Sequence, residues 1–192
     1  SKKSDITTVP TLLEAAKANP GKLNYGSSGV GGSNHLNPLA FERQAGVRLT
    51  HVPYRGGGPM LTALLGGEVD MVIGSLPTVI GYSKSGQANI VAIGSKTAAP
   101  QIPDVPTIAA ALPGYIAQSW VGMMVPAGVP KTVFSRIQTA LQKTLADPAV
   151  KTKMENDGFN IVNSSPAEFE EQVDRESKRW AKIIRDANVK VE

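Results

Sequence analysis

The 192-residue sequence contains no cysteine. This absence excludes a thiolate nucleophile, disulfide bonds and a zinc site with cysteine ligands, and it leaves the cellular compartment open. Aromatic residues make up only 5% of the chain, so a row of stacking platforms for nucleic-acid bases is not expected. The two histidines, His35 and His51, lack the i,i+4 spacing of a helical metal-binding pair. We therefore expect no metal and no cofactor.

Long apolar runs and blocks of like charge are also missing. No run reaches the roughly 18 apolar residues that a membrane-spanning helix needs. The formal net charge is +4, but the basic residues are scattered, so binding of nucleic acid or membrane by charge alone is not supported. The chain opens on the polar stretch SKKSD, and we expect any secretion leader to have preceded Ser1.

The most distinctive segment is a glycine-rich stretch, LNYGSSGVGGSNH, that runs from Leu23 to His35. Apolar residues of strand type precede the glycine-rich part, and the apolar run 36–45 follows it. This order predicts a strand, a loop and a helix. Glycines let backbone N–H groups approach a ligand closely, and amides at a helix N-terminus favour an anion. The spacing fits neither a Walker A loop, nor a dinucleotide loop, nor a nucleophile elbow. We therefore expect a seat for a smaller anion, a carboxylate first, with a plain glycine turn as the alternative.

Two further strand-to-helix junctions resemble the first in composition. They are YRGGGP at 54–59 and GSLP at 74–77. Strand and helix alternate four times in about 95 residues, the fourth strand being predicted at 89–95, and this alternation predicts an α/β fold with a mainly parallel sheet. Because ligands bind beyond the carboxyl ends of such strands, the three junctions are expected to meet at one edge.

The second part of the chain has a different pattern. The stretch YIAQSWVGMMV at 115–125 predicts a long extended run that can leave one sheet and join another. A short strand is predicted at 159–162. The other segments are helical, and the last helix opens with a capping box at 165–168, Ser-Pro-Ala-Glu.

Five stretches together resemble the Bug family, the extracytoplasmic solute receptors of tripartite tricarboxylate transporters. They are LNYGSSGVGGSNH, THVPYRGGGPMLTALLGGEVDMVIGSLP, DVPT, SWVGMMVPAGVP and WAKII, and they span the chain from about Pro10 onward. The resemblance implies a type II periplasmic binding protein fold, with two α/β lobes, a hinge and a ligand in the cleft. It also implies a secreted periplasmic protein without catalytic residues that delivers a small carboxylate to a cognate membrane permease.

The resemblance assigns ligand binding to the three junctions. The implied residues are Ser27, Ser28, Gly29, Gly32, Ser33, His35, Tyr54, Arg55, Gly56 and Ser75. Arg55 can grip a carboxylate bidentately, and a plain surface arginine is the alternative. His35 is interpreted as a hydrogen-bonding brace of the loop and His51 as a structural residue.

Two departures from the family pattern qualify this assignment. Family members often carry an acidic residue and an amide where this chain has Gly74 and Ser75, so we expect an organic or aromatic acid rather than an amino acid. Pro38 lies inside the helical pattern that begins at Ser33. Either that helix starts at Pro38, or its first turn is irregular.

The resemblance also predicts how the chain is divided. Residues 1–117 resemble a complete α/β ligand-binding lobe, and 118–192 resemble the hinge crossing and the C-terminal portion of an incomplete second lobe. An amphipathic tail without its partner strands exposes apolar faces. We expect it to dock on a second copy, as a homodimer or by domain swapping, or to belong with an N-terminal piece that has been cleaved off.

Three other functions stay open at this point. A serine hydrolase would use Ser27 or Ser28 with His35, but no orienting third residue is indicated. An effector-binding domain of a transcription regulator shares the two-lobe fold, although no helix-turn-helix is visible. A structural oligomerisation module would bind no ligand at all.

Overall fold

The computed structural model describes residues 1–190 as a mixed α/β protein built around a small parallel sheet. The elements follow one another in this order: α1 Val9–Ala18, β1 Asn24–Ser27, α2 Ser33–Ala45, β2 Thr50–Pro53, α3 Gly57–Gly66, β3 Met71–Val72, α4 Leu76–Lys84, a 3-10 turn Ile108–Ala110, α5 Lys131–Ala146, α6 Pro148–Asn156 and α7 Pro166–Asp186. The predicted alternation of strands and helices is thus present in the first part of the chain, and the predicted helices are present in the second.

Strand β1 lies in the centre of the sheet, between β2 and β3, and pairs in parallel with both. Tyr25 lies opposite His51 on one side and opposite Met71 on the other. Because all three strands run the same way, their carboxyl ends lie at one edge. Helices α2, α3 and α4 begin just after that edge, so three helix N-termini come together there.

Two groups of buried apolar residues cover the sheet. One joins α1 and α2 to the sheet and to the segment after the 3-10 turn, and it consists of Val9, Leu12, Ala16, Tyr25, Phe41, Leu49, Ile108 and Tyr115. The other packs α3 against the sheet and consists of Ala63, Leu64, Val69 and Ala88. The core therefore belongs to the first part of the chain, which fixes the strand ends rigidly.

Helix α2 is continuous from Ser33 to Ala45 and contains Pro38 in its interior. The alternative in which the helix starts at Pro38 is therefore wrong. Pro38 has no N–H to donate to the carbonyl of Asn34, which removes one bond of the helix. Tertiary contacts compensate, because Pro38 is fully buried and the Tyr115 hydroxyl donates to the Asn37 carbonyl at 2.8 Å.

Two predicted strands are not formed within residues 1–190. The stretch 89–95 retains a single parallel bridge, between Ile93 and Thr107, and the stretch 159–162 has no strand assignment. The predicted extended run 115–125 likewise lies outside any sheet of the described residues. Ala117 N–H donates to the Gly94 carbonyl at 2.9 Å, which is an isolated bond and not a ladder. Extended segments become strands only when a neighbour supplies a row of backbone partners, and the described chain supplies none here.

The unpaired segments leave an exposed apolar face. Val121 is 87% exposed, Met123 58%, Met124 64% and Val162 78%. Trp120 is partly covered because its ring packs edge-on against Phe169 of α7, with centroids 5.2 Å apart. The second part of the chain therefore has helices and extended segments but lacks a closed core of its own.

The hydrogen bond of Tyr115 offers a test of how the sheet is joined to α2. We expect Tyr115→Phe to lower the free energy of unfolding by about 1 kcal/mol, because the hydroxyl is buried against the Asn37 carbonyl. Urea unfolding followed by circular dichroism measures the change.

Tyr82→Phe is the matched control. Within residues 1–190 the half-buried Tyr82 hydroxyl forms no hydrogen bond, so its removal should change stability by less than about 0.5 kcal/mol. An equal loss in both variants would contradict a specific contribution from the Tyr115 bond.

A candidate carboxylate site at the ends of three strands

The first loop turns sharply between β1 and α2. Gly29 has φ 141° and Gly31 has φ 82°, a region that other residues adopt only with strain. Gly32 is the N-cap of α2 and has no side chain to satisfy the first amides of the helix. The sequence thus produces a helix N-terminus whose donors remain available.

The unused donors of this loop are the main feature of the site. In the described chain, the following backbone amides donate to no protein acceptor: Ser28, Val30, Gly32, Ser33 and Asn34. By contrast, the Gly31 amide donates to Nδ1 of His35 at 3.0 Å, so it belongs to the framework. Free amides at a helix N-terminus attract an anion through hydrogen bonds and the helix dipole together.

The second and third loops, which follow β2 and β3, lie beside the first loop, which follows β1. The Tyr54 amide donates to the Ser27 carbonyl at 2.9 Å, and the Gly56 amide donates to the Ser28 carbonyl at 3.2 Å. Gly56 then leads into α3 with φ 107°. Ser75 precedes α4, and its hydroxyl lies 3.2 Å from that of Thr78. Backbone hydrogen bonds therefore join the first two loops, and the pairing of β1 with β3 brings in the third.

A cleft of about 2760 Å³ opens beside these loops. At this end it is lined by Ser28, Ser33, Asn34, Gly57, Gly58 and Ser75. Segments 118–125 and 158–166 also line it. The volume exceeds the roughly 300–1,000 Å³ of a small-molecule pocket because the cleft continues over the exposed apolar face. The serine hydroxyls and free amides that suit a small anion lie at its end by the three loops.

The predicted site residues fall into two positions. Ser28, Ser33 and Ser75 line the cleft. Ser27 is fully buried behind the loop and His35 is only 7% exposed. The position of His35, with Nδ1 accepting from Gly31, matches its interpretation as a brace.

The other predicted residues lie around the cleft rather than on its surface. Gly29 and Gly32 form the backbone of the loop, and Gly56 is the N-cap of α3. The Tyr54 ring packs with the α3 side of the core and closes over Gly26. Arg55 is exposed and takes part in no ion pair among residues 1–190.

Two features of the site escaped the sequence reasoning. Asn34 joins loop and helix, since its Nδ2 donates to the Ser28 hydroxyl at 2.9 Å and it lines the cleft. His51 stacks on His35 with ring centroids 3.9 Å apart, and its Nε2 lies 2.6 Å from Oγ of Ser27. Parallel pairing of Val47–Pro53 with the strand before the loop would have placed His51 beside Tyr25 and Ser27, so this signal was available.

The pair of Ser27 and His51 does not make a hydrolytic site. Ser27 is fully buried, so a substrate carbonyl could not reach its hydroxyl. Among the described residues no carboxylate hydrogen-bonds to His51, and a triad needs such an orienting group. Ser28 is bonded to Asn34 instead of a histidine. The geometry therefore gives no support to the hydrolase alternative.

Searches for two other kinds of site give no candidates in the part of the chain that the structure describes. No helix there combines the length and the apolar character needed to cross a bilayer. No group of three or more histidine, aspartate or glutamate side chains there is arranged to hold a metal ion.

Known proteins resemble this chain in both sequence and structure. Residues 1–189 match the family described as the tripartite tricarboxylate transporter family receptor. The UPF0065 protein in the tcbD-tcbE intergenic region of Pseudomonas sp. strain P51 is 36% identical over 183 residues, which are 94% of this chain and 54% of that protein. The chain thus spans about half the length of this relative.

Two solved structures extend the likeness to the fold. The structure of R. palustris Rpa4515 with adipate has a TM-score of 0.92 at 30% identity and covers 100% of this chain and 64% of that one. MatC (Rpa3494) from Rhodopseudomonas palustris with bound malate has a TM-score of 0.84 at 25% identity, covering 95% and 64%. The predicted type II periplasmic binding protein fold is confirmed, and the matching family consists of solute receptors rather than enzymes. The chain belongs to the tripartite tricarboxylate transporter receptor family, the TctC or Bug family.

Proposed function

We propose that this chain carries the ligand-binding loops of a periplasmic receptor that captures a small organic carboxylate and delivers it to a tripartite tricarboxylate-type permease. The observation that carries the proposal is the set of unused amides at the N-terminus of α2, beside a cleft. Family membership supports the periplasmic location, since members of the family are periplasmic binding proteins.

The chemistry of the loops favours a carboxylate held by neutral donors. Ser28 and Ser33 add hydroxyls to the free amides at the cleft, and the dipole of α2 adds partial positive charge. Arg55 does not line the cleft, so the three loops place no basic side chain against a ligand there. Neutral donors bind an anion without a buried counter-charge, which suits a receptor that must also release it. Two related structures, with adipate and with malate, hold dicarboxylates.

The third loop argues against a ligand with an amine. Loops 28–33, 54–58 and 74–77 contain no aspartate or glutamate, and the third loop has only Gly74, Ser75, Leu76 and Pro77. An ammonium group in the cleft would then lose its hydration without gaining a carboxylate partner. The ligand we propose is therefore a plain organic or aromatic acid.

The proposal includes a division of the chain near residue 117. Residues 1–117 would form the ligand-binding lobe, and 118–192 would form the crossing and part of the other lobe. Ala117 lies against Gly94, where an added Cβ would overlap the Ala117 backbone, so the crossing is closely packed. A ligand that touches both walls of the cleft binds the closed arrangement preferentially and so favours closure.

Removing the loop hydroxyls tests the site directly. We expect the double variant Ser28→Ala and Ser33→Ala to weaken binding of adipate or malate about thirtyfold, because each of the two lost hydrogen bonds contributes on the order of 1 kcal/mol. Isothermal titration calorimetry measures the affinity. The exposed Ser135→Ala in α5 is the matched control and should bind as the unaltered protein does. Equal affinity of all three proteins would place the ligand elsewhere.

Ligand class can be tested by paired titrations. We expect malate to bind at least tenfold more tightly than aspartate, which differs from it by an amine in place of a hydroxyl, because the loops offer no acid to the ammonium. Tighter binding of aspartate would contradict the proposal.

The variant Gly74→Asp tests the same point in the opposite direction, because it adds a carboxylate to the third loop. The position accepts a Cβ, since the nearest atom would be a Val79 methyl at 3.4 Å. We expect the variant to raise the affinity for aspartate relative to malate. An unchanged ratio would show that residue 74 does not set the ligand class.

The exposed apolar face leads to a proposal about assembly. We propose that a polypeptide of these 192 residues buries the face around Val121, Met124 and Val162 against a second copy. These side chains are largely exposed, and the extended segments that carry them have unpaired backbone edges that can pair with the same edges of a copy.

Light scattering tests this assembly. We expect a mass of twice 20.2 kDa, and Val121→Lys should shift the protein towards the monomer because a charge would be buried in the interface. Ser135→Lys, on α5, is the control. A clean monomer of the unaltered chain at micromolar concentration would overturn the proposal.

A further inference from the structure

The glycine loop rests on two stacked imidazole rings. The rings of His35 and His51 lie 3.9 Å apart at an angle of 13°. The ring of Tyr25 lies 5.0 Å from that of His51 and 6.5 Å from that of His35, centroid to centroid. Behind the loop, therefore, α2, β2 and β1 each contribute one ring to a compact cluster. None of these rings lines the cleft.

One imidazole is bonded directly to the loop. The Gly31 amide donates to Nδ1 of His35 at 3.0 Å. An amide can only donate, so Nδ1 must be unprotonated and His35 must be the neutral tautomer with its proton on Nε2. The bond also closes the turn, because the His35 amide donates to the Gly32 carbonyl at 2.9 Å.

The second imidazole is bonded to the start of the same loop. The Ser27 hydroxyl oxygen accepts from the Gly29 amide at 3.3 Å and lies 2.6 Å from Nε2 of His51 and 3.1 Å from the Gly29 carbonyl oxygen. Its one proton is shared between two arrangements: it donates to the carbonyl and accepts from Nε2–H, or it donates to an unprotonated Nε2. Every hydrogen-bonding position of this fully buried hydroxyl is occupied. The two histidines thus hold both ends of the segment from Ser27 to Gly31.

The surroundings keep both rings uncharged. Burial lowers the pKa of His35, and burial together with the neighbouring His35 lowers the pKa of His51 to about 4. Tyr25, the titratable group that β1 contributes beside the two imidazoles, has a raised pKa because it is buried. Glu42 of α2 lies beyond Tyr25, accepts from the Leu49 amide at 2.6 Å near Arg48, and has a raised pKa because of its burial. Among residues 1–190, no carboxylate is bonded to either imidazole.

We propose that the His35–His51 pair positions the glycine loop for its anion and, because the pair must stay uncharged to do so, couples carboxylate affinity to pH. This inference rests on the proposed function, since the loop amides are taken to bind the ligand. The histidines touch no ligand and act through the loop backbone.

The coupling follows from the direction of the hydrogen bonds. A proton on Nδ1 of His35 would face the Gly31 amide, donor against donor, and the turn would have to open. A proton on His51 would place a buried charge against the ring of His35. Both histidines have lower pKa values in the folded protein than the ordinary 6.5, so the unfolded chain binds their protons first. Folding stability is therefore full above pH 6.5 and decreases as the pH falls from 6.5 towards 4.

The experiment uses variants that retain the bonds without titrating. Asparagine places an acceptor near the position of Nδ1, and glutamine places a donor near that of Nε2. We expect His35→Asn with His51→Gln to bind malate at pH 7 within about threefold of the unaltered protein, whereas His35→Leu, which leaves the Gly31 amide unpaired, should bind about tenfold more weakly. Calorimetric titrations from pH 7 to pH 4.5 then give the ratio of the two affinities at each pH.

That ratio isolates the histidines, because protonation of malate and of Glu42 affects both proteins alike. We expect the unaltered protein to lose affinity relative to the double variant as the pH falls below 6.5, and the loss to be largest at the acid end of the range, because the pKa of His51 is about 4. Parallel curves would overturn the inference, and so would a double variant that binds malate at pH 7 as weakly as His35→Leu does. If the unaltered protein binds no carboxylate at pH 7, the proposed function fails instead.

A second readout does not depend on any ligand. The chain has only two histidines, so their ¹⁵N ring signals can be assigned with one substitution. We expect His35 in solution at pH 7 to have its proton on Nε2 and both rings to titrate below pH 6.5. A proton on Nδ1 of His35, or a titration near 6.5 for both rings, would contradict the arrangement even if a variant failed to fold.

Discussion

The parallel pairing of β1 with strands on both sides is the constraint on which the site depends. A central strand of four residues has its carboxyl end between those of its neighbours, and the loop after it must lie between theirs. The bonds from the Tyr54 and Gly56 amides to the Ser27 and Ser28 carbonyls continue the pairing into the loops. Since these are backbone bonds, the arrangement depends on the register of the sheet more than on any single side chain.

The sequence was most informative where local patterns decide the structure. The capping box at Ser165 forms as the sequence predicts, with the hydroxyl accepting from the Glu168 amide, and the glycine loop joins β1 to α2. Turn chemistry and helix caps depend on neighbouring residues, so a single sequence contains them. The likeness to a receptor family, assigned from five separated stretches, was confirmed by the match over residues 1–189.

The sequence was least informative where contacts between distant segments determine the structure. Strands at 89–95 and 159–162 were predicted from their apolar and β-branched residues, but a strand also needs a paired neighbour, which propensity cannot supply. Pro38 was expected to mark the start or an irregularity of the helix, yet the fully buried proline lies inside a continuous helix, next to Asn37, whose carbonyl accepts from the Tyr115 hydroxyl. The contact of His51 with Ser27 similarly depends on sheet register. Which residues touch a ligand stays a prediction, because the loops alone do not define a bound pose.

Pro38 also has a mechanical consequence for the loop that precedes it. The missing proline amide leaves the first turn of α2 attached to the remainder of the helix by one backbone bond fewer than usual, beginning at Asn34. That turn presents the free amides of Ser33 and Asn34 and includes His35. The contacts of His35 with Gly31 and His51, and of Asn34 with Ser28, hold that turn instead. The end of the helix that presents free amides is thus anchored by side chains beside the loop, whereas the later turns are anchored by the apolar core around Phe41 and Tyr115.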